Sequence, residues 1–212
     1  MVMSDANDAR CKSIVRISLH SDNFYYTFGL GHLIKEFNGR WNNSAFCFLI
    51  DETVEEVGNV ANVVIRDSMV SIRLRNGCNS WKKNNNSEWQ ATIHIPFTCR
   101  RHNVSEVMEK IKKILLIASM DYPAFISPEN HKSIGLKKIK QLSLTECKIL
   151  LLVGKGYNVG YISRILNRSE KTISNHCRNS IRKLGMLNRV EFYKYATFIA
   201  HCANKERSIV CL

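Results

Sequence analysis

Acidic residues are what the end of this chain lacks. Of 212 residues, 31 are Lys or Arg and 18 are Asp or Glu, giving a formal net charge of +13. Residues 132–212 hold 16 Lys/Arg against 4 Asp/Glu, whereas residues 1–131 hold 15 against 14. The excess of cations is confined to the C-terminal part, which points to a polyanion-binding module joined to a nearly neutral one. There is no long apolar run and no lipid-anchor motif, so a membrane is not the expected polyanion. The eight cysteines are scattered (Cys11, Cys47, Cys78, Cys99, Cys147, Cys177, Cys202 and Cys211), with no C-x-x-C pair and no Cys/His cluster of finger-like spacing. Neither a metal nor a cofactor is expected. The opening MVMSDANDAR lacks an apolar signal segment. The expected setting is therefore the reducing cytoplasm.

What is present changes character along the chain. Ser13 to Leu19 alternates like a half-buried strand, and Phe24 to Phe37 has apolar groups at helical spacing. Ala45 to Ile50 is a continuous apolar run that suggests a buried strand, and Val70 to Leu74 and Ala91 to Phe97 are further strand candidates. Val104 to Ser119 reads as an amphipathic helix with Val104, Val107, Met108, Ile111, Leu115 and Ala118 on one face. Strands alternating with helices predict an α/β domain over residues 1–120. Residues 121–141 carry two prolines and a lysine cluster and read as a linker. From 142 to 204 the pattern is helices only.

Ser143-Leu-Thr-Glu146 is a capping box ahead of a helix whose expected apolar face is Leu144, Cys147, Leu150 and Leu151. A second short helix follows Asn158 and buries Val159, Ile162 and Ile165 or Leu166. The Asn167-Arg168-Ser169 turn leads to a third, Ser169 to Leu184, with Ser169 as cap and Gly185 as stop. Wound at about 100° per residue, Ile173, Cys177, Ile181 and Leu184 form one stripe. Lys171, Asn175, Arg178 and Arg182 lie opposite, with Asn179 at the edge. Guanidinium, ammonium and amide groups on one exposed face suit phosphates and base edges. A short helix, a tight corner and a longer basic helix make a helix-turn-helix. Asn188 then caps a last helix running to about Cys202. Winding it turns Val190, Tyr193 and Ala196 toward its own core and leaves Tyr195, Phe198, Ile199 and Cys202 as a wet stripe, an expected dimerisation surface unless the N-terminal half covers it.

Leu142 to about Ala200 resembles the LuxR-type (GerE-type) helix-turn-helix domain of bacterial transcription regulators. The resemblance is carried by Leu142-Ser143, Glu146, Ile149-Leu150, Gly156, Ile162-Ser163, Leu166, Ser169, Thr172-Ile173, His176, Ile181, Lys183-Leu184-Gly185, Arg189 and Glu191. It implies a four-helix domain whose Ser169–Leu184 helix enters the major groove of double-stranded DNA and whose last helix pairs two subunits. By the same resemblance Ser174, Asn175 and Arg178 would contact bases or groove. Lys171, Thr172, Arg182 and Lys183 would hold phosphates. Two departures stand out: the family usually has lysine where Ser174 stands, and a polar Asn-Lys-Glu run where Val159-Gly160-Tyr161 stands.

The N-terminal half resembles a degenerate receiver domain. Asp22 is the sole acid of the expected acid pair, since its neighbour is Ser21. Asp51 is the candidate phosphoacceptor but falls on the second strand by spacing, and no Lys-Pro pair follows ATIHIPF. Asp51 and Asp22 are thus vestigial candidates, in a module for protein–protein contact such as that of auxiliary regulators of capsule and surface-structure genes. The implied protein is a DNA-binding regulator, an activator, working as a homodimer or as a heterodimer with another regulator, with RNA polymerase as a further candidate partner. Two alternatives stay open: a phosphorylatable response regulator acting through Asp51, or a sigma-like or RNA-binding protein. An enzyme is not expected, because His176 has no partner acid nearby in sequence.

Overall fold

The computed structural model describes residues 13–40, 46–51, 61–75, 89–99, 102–136, 141–202, 207–209 and 211. Its first half is a sheet built from β1 (Ser13–His20), β2 (Phe46–Asp51), β3 (Val63–Arg66), β4 (Met69–Arg75) and β5 (Trp89–Pro96). The chain's last strand, β6 (Arg207–Ile209), joins the same sheet, giving the order β2-β1-β3-β4-β5-β6. The first five strands follow the 2-1-3-4-5 order of doubly wound α/β domains. One strand departs from the parallel form of that arrangement. β1 is parallel to β2 and to β3, but β3–β4 and β4–β5 are antiparallel, and β6 is again parallel to β5.

β3 has no counterpart in the sequence expectations. It is four residues long and joined to β4 through Asp67-Ser68, too short for an alternating pattern to register. The loop GCNSWKKNNNSE before β5 lies outside the described residues. Both α1 (Phe24–Arg40) and α2 (Val104–Ala118) pack on one face of the sheet. There Ile34 and Phe37 of α1 and Ile111, Ile114 and Leu115 of α2 meet Val15, Ile17, Ile65, Ile72, Ile93 and Ile95. Asn103 and Glu106 close a capping box that starts α2. Val104, expected on its apolar face, is exposed at the first helical position.

Where a doubly wound domain sends a helix between its third and fourth strands, this chain makes a hairpin. The β3–β4 connection is a two-residue turn, with no room for a helix. Side chains alternate across a strand. The second face of β4 and β5 therefore carries Met69, Ser71, Arg73 and His94. That face is covered in part by the other half of the protein.

Residues 121–141 are not bare chain. α3 (Tyr122–Ile126) starts on Asp121, whose side chain accepts from Ala124 N–H, and α4 (Pro128–Ser133) follows at once. Phe125, Ile134 and Leu136 belong to the core of the sheet half, which is why this stretch folds back on it.

The helical half contains α5 (Leu144–Gly154), α6 (Val159–Leu166), α7 (Glu170–Lys183) and α8 (Arg189–His201). The boundaries follow the caps. Ser143, Asn158, Ser169 and Asn188 each accept a hydrogen bond from a backbone N–H two or three residues into the helix. Each such cap stabilises its helix by ~1 kcal/mol. The face buried by α5 differs from the expected one: Ile149, Leu150 and Val153 are buried, and Leu144 is 84% exposed. α5 lies against both α7 and α8, so two partners rather than one stripe set its buried arc. Gly154 sits where α5 meets α8. A Cβ there would fall 2.5 Å from the Ala196 carbonyl carbon and 2.9 Å from Ala200 Cβ, so glycine is what lets the helices approach.

Candidate nucleic-acid interface

α6 and α7 are joined by the corner that a helix-turn-helix requires. Asn167 takes a left-handed conformation (φ 48°, ψ 55°), the conformation that asparagine adopts most readily after glycine. Arg168 is exposed in the turn, and Ser169 opens α7 by accepting from Thr172 N–H, with the two hydroxyls 2.9 Å apart. A Cβ on Gly160 would lie 3.1 Å from Glu170 Oε1, so the first turns of the two helices come close. Ile173, Cys177 and Ser180 are buried along α7, with Leu184 at its end. Burial pushes the Cys177 thiol up, which makes it a core group rather than a nucleophile.

The opposite face is open. Lys171, Asn175, Arg178 and Arg182 are exposed, and Thr172 and Ser174 are half-buried beside them. Arg178 Nη1 donates to Asn175 Oδ1 at 3.2 Å, and Arg182 Nη2 to Asn179 Oδ1 at 3.4 Å. Each guanidinium is held along the helix by an amide one turn back while keeping its other donors free for phosphate or base edges.

Lys183 is placed elsewhere. Its Nζ donates to Glu146 Oε2 at 2.7 Å and to the Gln141 carbonyl at 3.0 Å. Glu146 is buried with its side chain 5% exposed, and the same Oε2 accepts from Ser143 N–H at 2.7 Å. Burial works against the Glu146 carboxylate. The Lys183 ammonium and the Ser143 donors outweigh it, holding the carboxyl below its usual range. The expected phosphate clamp is therefore an internal tie between α5 and α7: a lysine opposite a buried acid is worth more paired than wet. Sequence gave no sign of this, since 37 residues separate the partners.

The stripe expected to be wet on α8 is also corrected. Tyr195 and Ile199 are buried, and Phe198 and Cys202 are half-buried. Strands of the sheet half account for it: Tyr195 OH donates to the His94 carbonyl at 3.2 Å, and the Phe198 ring meets His94 edge-on at 5.4 Å. Arg66 lies over Phe198, its guanidinium 5.9 Å from the ring centre. Val190 and Tyr193, expected in the core, are the exposed ones, at 60% and 45%. Phe192 takes the core position that Tyr193 was expected to hold.

In the sheet half, Asp51 ends β2, an edge strand, in register with Ser18 of β1. Asp22 is exposed in the turn after β1. Among the described residues, no group of three or more His, Cys, Asp or Glu is placed to hold a metal ion. No helix among them is long and apolar enough to cross a membrane.

Residues 140–196 match the family model of bacterial regulatory proteins, luxR family. The helical half is a luxR-family domain. The uncharacterized protein YjjQ of Escherichia coli O157:H7 is 37% identical over 54 residues, which is 26% of this chain and 22% of that protein. The chain thus spans about a fifth of the length of the curated relative it matches. Solved structures of RcsB align along most of the chain, at low TM-scores. One, of two RcsB dimers bound to two parallel DNAs, covers 88% of this chain and 98% of its own, at 17% identity and a TM-score of 0.32. Another, of RcsB from Salmonella enterica serovar Typhimurium bound to a promoter with a phosphomimetic, covers 87% and 99%, at 18% identity and a TM-score of 0.33. The family assignment rests on the luxR-family match and on the geometry of α5 to α8. The luxR-family domain places Lys171, Asn175, Arg178 and Arg182 on the open face of its longest helix.

Proposed function

We propose that this chain is a sequence-specific transcription regulator that reads double-stranded DNA with α7. The observation that carries the reading is the open face of Lys171, Asn175, Arg178 and Arg182 on a helix capped at Ser169 and seated by Ile173 and Cys177. Asn175 and Arg178 present amide and guanidinium donors suited to base edges, with Ser174 beside them. Lys171, Thr172, Arg182 and the exposed Arg168 suit phosphates. The regulator acts from the cytoplasm, at the nucleoid, and activates. Tyr157 and Tyr161 stack at 4.9 Å on the surface at α6, and Ile165 is exposed further along that helix, offering a contact for RNA polymerase. Its DNA-bound form is a pair, either of two copies or with another regulator. The division into a sheet module, residues 121–141 and a DNA-binding module from 142 to 204 is part of this reading.

Gel shifts with duplex DNA, single strands and structured RNA test it. Duplex should bind first and lose affinity with salt at about 0.9 log units per log unit for each phosphate neutralised. Equal binding to RNA would favour the RNA-binding alternative. Phosphorylation is the second reading, and the edge position of Asp51 and the lone acid Asp22 argue against it. Incubation with a small phosphodonor and Mg²⁺ should leave the intact mass unchanged.

A further inference from the structure

Glu106, His102 and Lys110 form a chain of contacts at the start of α2. Glu106 Oε2 lies 3.1 Å from His102 Nδ1, and His102 Nε2 lies 2.8 Å from Lys110 Nζ. A lysine ammonium has donors only, so the ring accepts at Nε2 and carries its proton on Nδ1, facing the carboxylate. Glu106 is itself held. Its Oε2 also accepts from Asn103 N–H at 3.1 Å, and its own N–H donates to Asn103 Oδ1 at 2.8 Å. A carboxylate that orients an imidazole, whose lone pair in turn meets an amine, is the order of orienting group, base and nucleophile.

The surroundings favour the amine. Burial lowers the Lys110 ammonium from its ordinary value, and Lys113 adds to the drop against the opposing pull of Cys99 and Glu106. The competing nucleophile is held back, because burial pushes the neighbouring Cys99 thiol up. Tyr26 is hydrogen-bonded to that thiol and is pushed up as well, by burial first and then by Cys99 and Asp67. Tyr26 and Cys99 pack on the sheet core, so one side of the amine is walled off. These groups come from separate elements: Tyr26 lies on α1, Asp67 follows β3 and Cys99 follows β5. β1, β3 and β5 run in one direction. All three groups therefore gather at the carboxyl edge of the sheet, where open α/β sheets take their ligands.

The geometry points to Lys110 as an acylation site, a nucleophilic lysine that takes an acyl group from a small activated donor, an acyl phosphate or an acyl thioester of coenzyme A. The neutral Nζ attacks the acyl carbonyl carbon. As the C–N bond forms, one N–H proton passes to His102 Nε2. The C–O or C–S bond breaks, and the phosphate or thiolate departs with the bonding pair and takes up that proton. Lys113, one turn along α2, favours a donor whose leaving group is anionic. The product is an uncharged amide on Lys110. This inference stands apart from the DNA-binding reading.

The test is acetylation of the full chain, with acetyl phosphate and acetyl-CoA in separate arms and the rate at each lysine followed by tandem mass spectrometry. Lys110 should be acetylated faster than exposed Lys112 on the same helix, and the faster donor names the source. His102→Gln can still accept from Lys110 but cannot take its proton. It should slow Lys110 about a hundredfold, the lower end of what a placed base contributes, and leave Lys112 unchanged. Glu106→Gln keeps an acceptor for Asn103 N–H and removes the charge. It should slow Lys110 less and move the midpoint of its pH–rate profile to lower pH, because the carboxylate favours the ammonium. A merely structural role for Glu106 would leave that midpoint in place. Phosphoramidate, which carries a phosphoryl but no acyl group, should modify neither Lys110 nor His102. Rates at Lys110 no higher than at Lys112, or unaltered by His102→Gln, overturn the assignment. So does a phosphoryl group on either residue from phosphoramidate.

Discussion

α7 and α8 are neighbours of nearly equal length, 14 and 13 residues, and they meet their surroundings in opposite ways. α7 has one buried line, Ile173 to Leu184, and leaves its other side to solvent. α8 is buried on two fronts: Phe192 and Ala196 lie in the core of the helical half, and Tyr195 and Phe198 reach the strands of the sheet half. A helix buried along one line keeps a free face for a ligand. A helix buried on two fronts, as α8 is, has little surface left for one.

The largest way to break that comparison is at the crossing of α5 and α8. Gly154→Ala would drive a methyl into the Ala196 backbone, where neither helix can yield without shifting. The expected loss is about 3 kcal/mol, the upper range for overpacking. It is read as a lower denaturant midpoint with unchanged slope, and an unaltered midpoint would show that the helices part freely.

Lys183→Ala sharpens the contrast on the other helix, because it separates structural from DNA-facing cations on α7. It should cost about 2 kcal/mol, less than the about 3–5 of a wholly buried pair because Lys183 keeps some exposure. Duplex affinity of the folded fraction should hardly move. The same pair sets an acid limb. Because the folded Glu146 carboxyl titrates below its ordinary value, its contribution is fully present above the unfolded range near ~4.3. It is lost as pH falls through the folded value. Glu146→Gln should flatten stability against pH in that window, measured by thermal melts from neutral to acid.

Arg178→Ala tests the open face. A bidentate contact to guanine is worth about 1–3 kcal/mol, so selection with the variant should relax at one base pair while total affinity falls modestly. Uniform weakening across all sequences would make α7 a phosphate clamp. The smallest effect belongs to the junction. Tyr195→Phe removes the bond to the His94 carbonyl at a cost of about 1 kcal/mol and should raise amide exchange in α8 more than in α7.

The helical half was the legible one. Its caps at Ser143, Asn158, Ser169 and Asn188 are local, each closed by a neighbour within a few residues, so side-chain identity alone marks where helices begin. The open face of α7 was legible for the same reason, since helical winding is fixed by backbone geometry. The sheet half was read in part: β1, β2, β4, β5, α1 and α2 stand close to their expected places, but β3 and the hairpin turn were missed. A four-residue strand carries too few side chains for alternation to show.

What sequence determined by itself was therefore the local and the periodic: the capped helices, the charge gathered in the C-terminal part, and a basic face opposite an apolar stripe. Tertiary structure decided which charged and apolar groups stay available. Lys183 points to a phosphate by position and to Glu146 by proximity, and proximity prevails because a buried carboxylate needs a counter-charge. Likewise, Tyr195 and Phe198 are surplus apolar groups on a helix considered alone. They are covered because β3 returns directly into β4 through a two-residue turn, and α8 lies against the strand face that Met69, Ser71 and His94 share.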